Sequence, residues 1–95
     1  MQIKWSDEAI EDYHQNIDYL IREWSENVAV EFIEDIEITI ELIKSNTELY
    51  PLTDHREVRK AVIRKQITMF FKVTTQEIHI IRFWNNYQNP DRLKL

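Results

Sequence analysis

Apolar side chains recur at helical spacing along the first half of the chain and at strand spacing along the second. From Ala9 the positions Ile10, Tyr13, Ile17, Leu20, Ile21 and Trp24 follow at three- and four-residue steps, which predicts an amphipathic helix. Ser6 stands where its N-cap belongs, and Asp7 and Glu8 fill the first turn, where a helix favours negative charge. Ser25 to Asn27 interrupts the pattern. Ala29, Phe32, Ile33, Ile36, Ile40 and Ile43 then mark one face of a second helix that ends near Ser45 and Asn46. So short a connection allows only an antiparallel helical hairpin. Ahead of the hairpin, Gln2 to Trp5 alternates as a short strand.

Beyond a loop from Thr47 to Arg56, which contains Tyr50 and Pro51, the period shortens to two. Glu57 to Lys65 predicts a strand with Val58, Lys60 and Val62 on one face and Arg59, Ala61 and Ile63 on the other. Ile67, Met69, Phe71 and Val73 alternate in a second strand, and Thr74 to Gln76 supplies a hairpin turn. Ile78 to Trp84 forms a third strand, apolar on both faces and rich in β-branched and aromatic residues. Strands this close in sequence pair as an antiparallel meander, and two helices bury their stripes against one face of it. The expected fold class is α+β, in one domain over residues 1–95: short N-terminal strand, antiparallel helical hairpin, three-stranded antiparallel meander.

Composition narrows the chemistry. The chain has no cysteine, which excludes disulfides and thiolate sites, and no glycine, which excludes a Gly-rich phosphate loop. No apolar run reaches the roughly 18 residues of a membrane span, and the N-terminus lacks the basic-then-apolar order of a signal peptide, so a cytoplasmic protein with no membrane partner is expected. Net charge is divided unevenly. Residues 1–48 hold 13 acidic and 3 basic side chains, a net −10, whereas residues 49–95 hold 4 acidic and 9 basic, a net +5. That asymmetry suggests two surfaces with different partners, the basic one suited to a polyanion or an acidic peptide.

Several constellations bear on function. Glu11 and His14 have the spacing of two metal ligands on one helix turn, but the facing helices that would complete such a site are missing, so no metal and no cofactor is expected. Neither a nucleophilic triad nor a carboxylate pair finds support. Ile38 and Leu42 stand four apart on the polar face of the second helix, among Glu31, Glu34 and Glu41. Isolated exposed apolar residues are ordinary; a pair can also form a seam where a partner docks.

The remaining cluster is basic: Arg56, Arg59, Lys60, Arg64, Lys65 and Arg82, with Asn85, Tyr87 and Gln88 just beyond the last strand. Polar groups at the end of a buried strand are rigidly supported yet face solvent. Arginines can hold phosphate oxygens and neutralise developing charge, and a tyrosine can transfer a proton or stack on a base. These are parts of a metal-independent ribonuclease. The same residues are equally those of a surface whose arginines pair with acids.

The order of elements, with Trp24, Asn46-x-x-x-Tyr50-Pro51, Val58-Arg59-Lys60, Phe70-Phe71-Lys72-Val73 and Phe83-Trp84-Asn85-Asn86-Tyr87-Gln88-Asn89-Pro90, resembles the RelE/ParE superfamily of bacterial toxins over nearly the whole chain, in particular members labelled plasmid stabilisation proteins. The resemblance implies the toxin of a type II toxin–antitoxin pair, neutralised by a cognate antitoxin. RelE-like members cleave mRNA on the ribosome with sheet arginines and lysines and a C-terminal tyrosine; ParE-like members inhibit DNA gyrase. The expected activity is mRNA cleavage, with gyrase inhibition, or an inactive toxin-like scaffold that only binds its antitoxin, as the alternatives. Carried over, the resemblance implies Arg64, Arg82 and Tyr87 as catalytic; the rest of the basic cluster, Arg56, Arg59, Lys60 and Lys65, is expected with Asn85 and Gln88 to contact RNA or another target, and the seam at Ile38 and Leu42 fits the antitoxin that the resemblance implies. Asn85 and Tyr87 replace an Asp and an Arg of the most similar group.

Overall fold

A computed structural model describes residues 1–64, 66–88 and 90–95. Strand β1 (Gln2–Trp5) leads into α1 (Asp7–Glu23) and α2 (Glu26–Ser45), followed by β2 (Arg59–Arg64), β3 (Ile67–Val73) and β4 (Glu77–Asn85). Short 3-10 turns lie at Thr47–Leu49 and Pro90–Arg92. α1 starts at the expected cap, Ser6, and Ser25, read from the sequence only as a break in the pattern, caps α2. The Ser6 hydroxyl accepts from the Ala9 amide at 2.9 Å, and that of Ser25 accepts from the Val28 amide at 3.2 Å.

The sheet order is β1-β4-β3-β2, with the expected antiparallel meander β2–β3–β4. β1 joins it beside β4, in parallel, so the helical hairpin is the crossover between them. The periodicity of four residues carries no sign of that partner. α1 lies over β4 and α2 over β2. Between the layers Leu20, Phe32, Ile43, Met69, Phe71 and Phe83 are fully buried, and aromatic rings link the parts: Phe32 and Phe83 stand edge to face at 6.1 Å.

The opposite face of the sheet is also covered. Val58, Phe70 and Trp84 form a second buried cluster, packed against Ile81, Leu93 and Leu95. A β-bulge makes this possible. Phe70 pairs with Arg82 and Phe71 with Ile80, leaving Ile81 as the extra residue. Ile80 and Phe83 consequently both reach the main core although three apart, while Ile81 and Trp84 face outward.

β2 starts two residues later than its periodicity suggests. The Val58 amide donates to the His55 carbonyl in a turn, and Glu57 adopts a left-handed φ of 63°. The expected strand position Lys65 lies outside the described residues.

Candidate functional site

β1 follows β4 only as far as the Trp5–Ile80 pair, so beyond Ile80 one edge of β4 lacks a strand partner. Polar groups on and just before α1 take its place. The Ser6 amide donates to the Ile80 carbonyl at 2.9 Å and the Ser6 hydroxyl to the Ile81 carbonyl at 2.6 Å. The Asp12 carboxylate accepts from the Phe83 amide at 3.1 Å, and the Asn16 amide donates to the Phe83 carbonyl at 3.4 Å. Unpaired backbone groups are costly when buried and sticky when exposed, and this edge avoids both.

Arg82 belongs to the same arrangement. Its Nε and Nη2 donate to the two Asp12 oxygens at 2.7 and 3.0 Å, a bidentate pair, and Nη1 donates to the Lys94 carbonyl at 3.3 Å. The guanidinium lies 5.7 Å from the centre of the Trp84 ring. Only 16% of the Arg82 side chain and 11% of the Asp12 side chain remain exposed. Hydrogen bonding to Asp12 pushes the arginine pKa up, outweighing burial, which acts the other way.

The other arginines are engaged as well. Arg64 Nη1 lies 3.3 Å from both Glu31 and Asp35 of α2. A register shift between Val62 and Arg64 occurs just where β2 presents this side chain to the helix. Arg59 donates to the Tyr50 carbonyl at 2.7 Å and stands 3.7 Å from Glu48. Arg56 and Lys60, by contrast, are exposed and form no ion pair among the described residues.

The three residues expected to be catalytic are therefore divided. Arg64 and Tyr87 line one cavity of about 510 Å³, together with Trp24, Val28, Asp35 and Gln66; Arg82 does not border it. Tyr87 is 77% exposed. Asn85 is buried and accepts from the Tyr87 amide at 3.0 Å, shaping the turn, and it borders a separate recess of about 330 Å³ with Asp12, Asn16 and Gln88. Glu11 accepts from Gln15, and the His14 ring stands edge-on to Tyr13 at 5.4 Å. Among the described residues no three His, Asp or Glu side chains could hold a metal ion. No helix among them is long and apolar enough to cross a membrane.

The helical layer has its own features. Ile38 and Leu42 are exposed and line a shallow recess with Glu37 and Glu41. Glu37 also borders an apolar groove of about 310 Å³ between the helices, floored by Trp5, Ile10, Tyr13, Ile33, Ile36 and Ile40. Burial, and then Glu37, pushes the Tyr13 hydroxyl pKa up.

Sequence reasoning overlooked Asp12, Asn16 and this groove. One signal was present: Asp12 and Asn16 stand four apart on the α1 face that carries Ala9 and Leu20, and these four are its buried residues, whereas Ile10, Ile21 and Trp24 of the expected stripe are exposed. Polar residues inside an apolar stripe call for buried partners.

A family profile described as the ParE toxin of type II toxin–antitoxin systems, parDE, matches residues 3–90. No curated protein matches the chain significantly. Among solved structures, a chain of the chromosomal ParDE toxin–antitoxin system of P. aeruginosa is similar, with a TM-score of 0.73 and 19% identity, covering 90% of this chain and 95% of that one. The YoeB/ParE toxin of Agrobacterium tumefaciens gives 0.65 and 14% identity, covering 90% and 98%. The heterotetrameric YoeB–YefM toxin–antitoxin complex of Staphylococcus aureus gives 0.63 and 16%, covering 88% and 94%. At such identities these likenesses concern the fold.

Proposed function

The chain belongs to the ParE toxin family of type II toxin–antitoxin systems, and on that premise we propose that it acts in the cytoplasm as a ParE-like inhibitor of DNA gyrase by surface binding, and that a cognate antitoxin neutralises it. The observation that carries this reading is the bidentate Arg82–Asp12 pair. A guanidinium held by two carboxylate oxygens, with a third bond to the backbone, has little left to offer a phosphorane, and freeing it exposes a partly buried aspartate. Arg64 is held more loosely, its Nη1 shared between Glu31 and Asp35 at 3.3 Å each. Tyr87 is 77% exposed, and the carboxylate that shares its cavity, Asp35, is engaged by Arg64.

For the antitoxin, the likeness to a YoeB–YefM complex supports a protein partner. The apolar groove between the helices, continuous through Glu37 with Ile38 and Leu42, offers the area such a segment would cover. A second reading, ribosome-dependent mRNA cleavage, is favoured by one observation: Arg64 and Tyr87 share a cavity. Purified protein titrated into a gyrase supercoiling assay tests the first reading. Inhibition supports it; unimpaired supercoiling at saturating toxin, with translation of a reporter mRNA arrested, supports the second.

A further inference from the structure

Lys4, Arg22, Lys44, Arg59, Arg64 and Arg82 pair with acids of the chain, whereas two cations near the outer cluster of the sheet, Arg56 and Lys72, do not among the described residues. A cavity of about 630 Å³ opens there, where the β3–β4 hairpin meets the loop before β2. Arg56, Lys72, His55 and His79 ring it. Neither Arg56 nor Lys72 forms an ion pair among the described residues, in contrast to Arg59, Arg64 and Arg82. His79 is the exception in the ring, its Nε2 lying 2.9 Å from Glu77, which also meets Lys4 at 3.4 Å. The floor is aliphatic, made by Val58 and Ile81 of the outer cluster.

We infer that this pocket binds an acidic peptide segment, with a carboxylate held between Arg56 and Lys72 and a neighbouring aliphatic side chain seated on Val58 and Ile81. Unpaired cations over an apolar floor complement a chain that alternates acidic and aliphatic residues, since an extended strand or a tight turn delivers both to one surface. A single-stranded nucleic acid fits less well. Its bases need broad aromatic platforms, and among the described residues the rings lining the cavity are the small imidazoles of His55 and His79, the latter bonded to Glu77. The volume lies within the range of ordinary ligand sites, so one or two side chains fill it. The inference concerns a surface apart from Arg64, Tyr87 and the helical groove, and it holds whichever target the toxin has.

The test uses the full chain and a fluorescein-labelled hexapeptide alternating leucine and glutamate, followed by anisotropy. Hexaglutamate and a thymidine hexanucleotide serve as comparison probes. The alternating peptide is expected to bind best, and Arg56→Glu with Lys72→Glu to weaken it at least about tenfold. Lys44→Glu, on α2, is expected to leave it within about twofold. Circular dichroism checks folding, and Arg56→Gln with Lys72→Gln replaces the charge reversal should that variant not fold. Absence of binding, or binding indifferent to the paired substitutions, overturns the inference. So does equal affinity for hexaglutamate, which means charge attraction alone, or tighter binding of the hexanucleotide lost in the same variants, which means a phosphate site.

Discussion

Asp12 grips Arg82 with both carboxylate oxygens, at 2.7 and 3.0 Å, while accepting the Phe83 amide at 3.1 Å. One side chain of α1 thus neutralises an arginine and seals the edge of β4 where β1 ends. Removing it leaves a partly buried guanidinium and an orphaned backbone amide. Asp12→Ala should destabilise the protein by about 3 kcal/mol or more in urea titrations. Arg82→Met combined with Asp12→Ala should cost less than the sum of the two changes, because the uncompensated charge is gone. Additive losses would mean that the pair contributes no coupling.

Glu57 holds a left-handed φ of 63° in a chain without glycine. The side chain clashes with the backbone in this region, a cost of about 1 kcal/mol that glycine escapes. Glu57→Gly should therefore stabilise by up to about 1 kcal/mol, read as a raised urea midpoint. An unchanged or lowered midpoint would contradict the strain at this turn.

The Glu77 carboxylate accepts from His79 and meets Lys4, and these contacts, the His79 hydrogen bond first, hold its pKa below the usual carboxylate value. Folding thus favours the ionised form. Its contribution is complete above about pH 4.3, the unfolded value, and disappears as pH falls through the lower folded value. Wild type and Glu77→Gln should differ in urea midpoint at neutral pH and converge in strongly acidic solution. A difference that persists there would assign Glu77 a role unrelated to its charge.

Ile10 and Leu42 are each 44% exposed, so substituting them should alter stability by about 0.5 kcal/mol or less. If the helical groove takes the antitoxin as proposed, Ile10→Asp and Leu42→Asp should nonetheless weaken its binding by about tenfold each. Isothermal titration with purified antitoxin measures this. Unaltered affinity in both variants would move the antitoxin to another face.

The helices and the meander were legible because apolar period and turn signals agree: Ser6 caps α1 as its position suggests, the break at Ser25 separates the helices, and Phe71 and Ile80 lie inside. What periodicity does not carry is a bulge. The register shifts at Phe70/Phe71 and at Val62/Arg64 adjoin the pairings of Arg82 and Arg64, the two arginines expected to be catalytic. A strict two-residue alternation cannot foretell where side chains beside such insertions point. The partner of Arg82 was equally hidden. Asp12 reads locally as one more helix acid, and only the end of β1 at Trp5 creates the gap it fills. The exposure of Ile38 and Leu42, which needed only helical spacing, was legible.

As proposed, this toxin acts by binding its target and not by cutting RNA. Mapping mRNA 5′ ends and plasmid supercoiling in one culture, after inducing the chain or Tyr87→Phe without antitoxin, tests it most directly. The account predicts relaxed plasmid, no new mRNA ends, and growth inhibition by both proteins. New ends within translated codons with supercoiling intact, abolished by Tyr87→Phe, would contradict it.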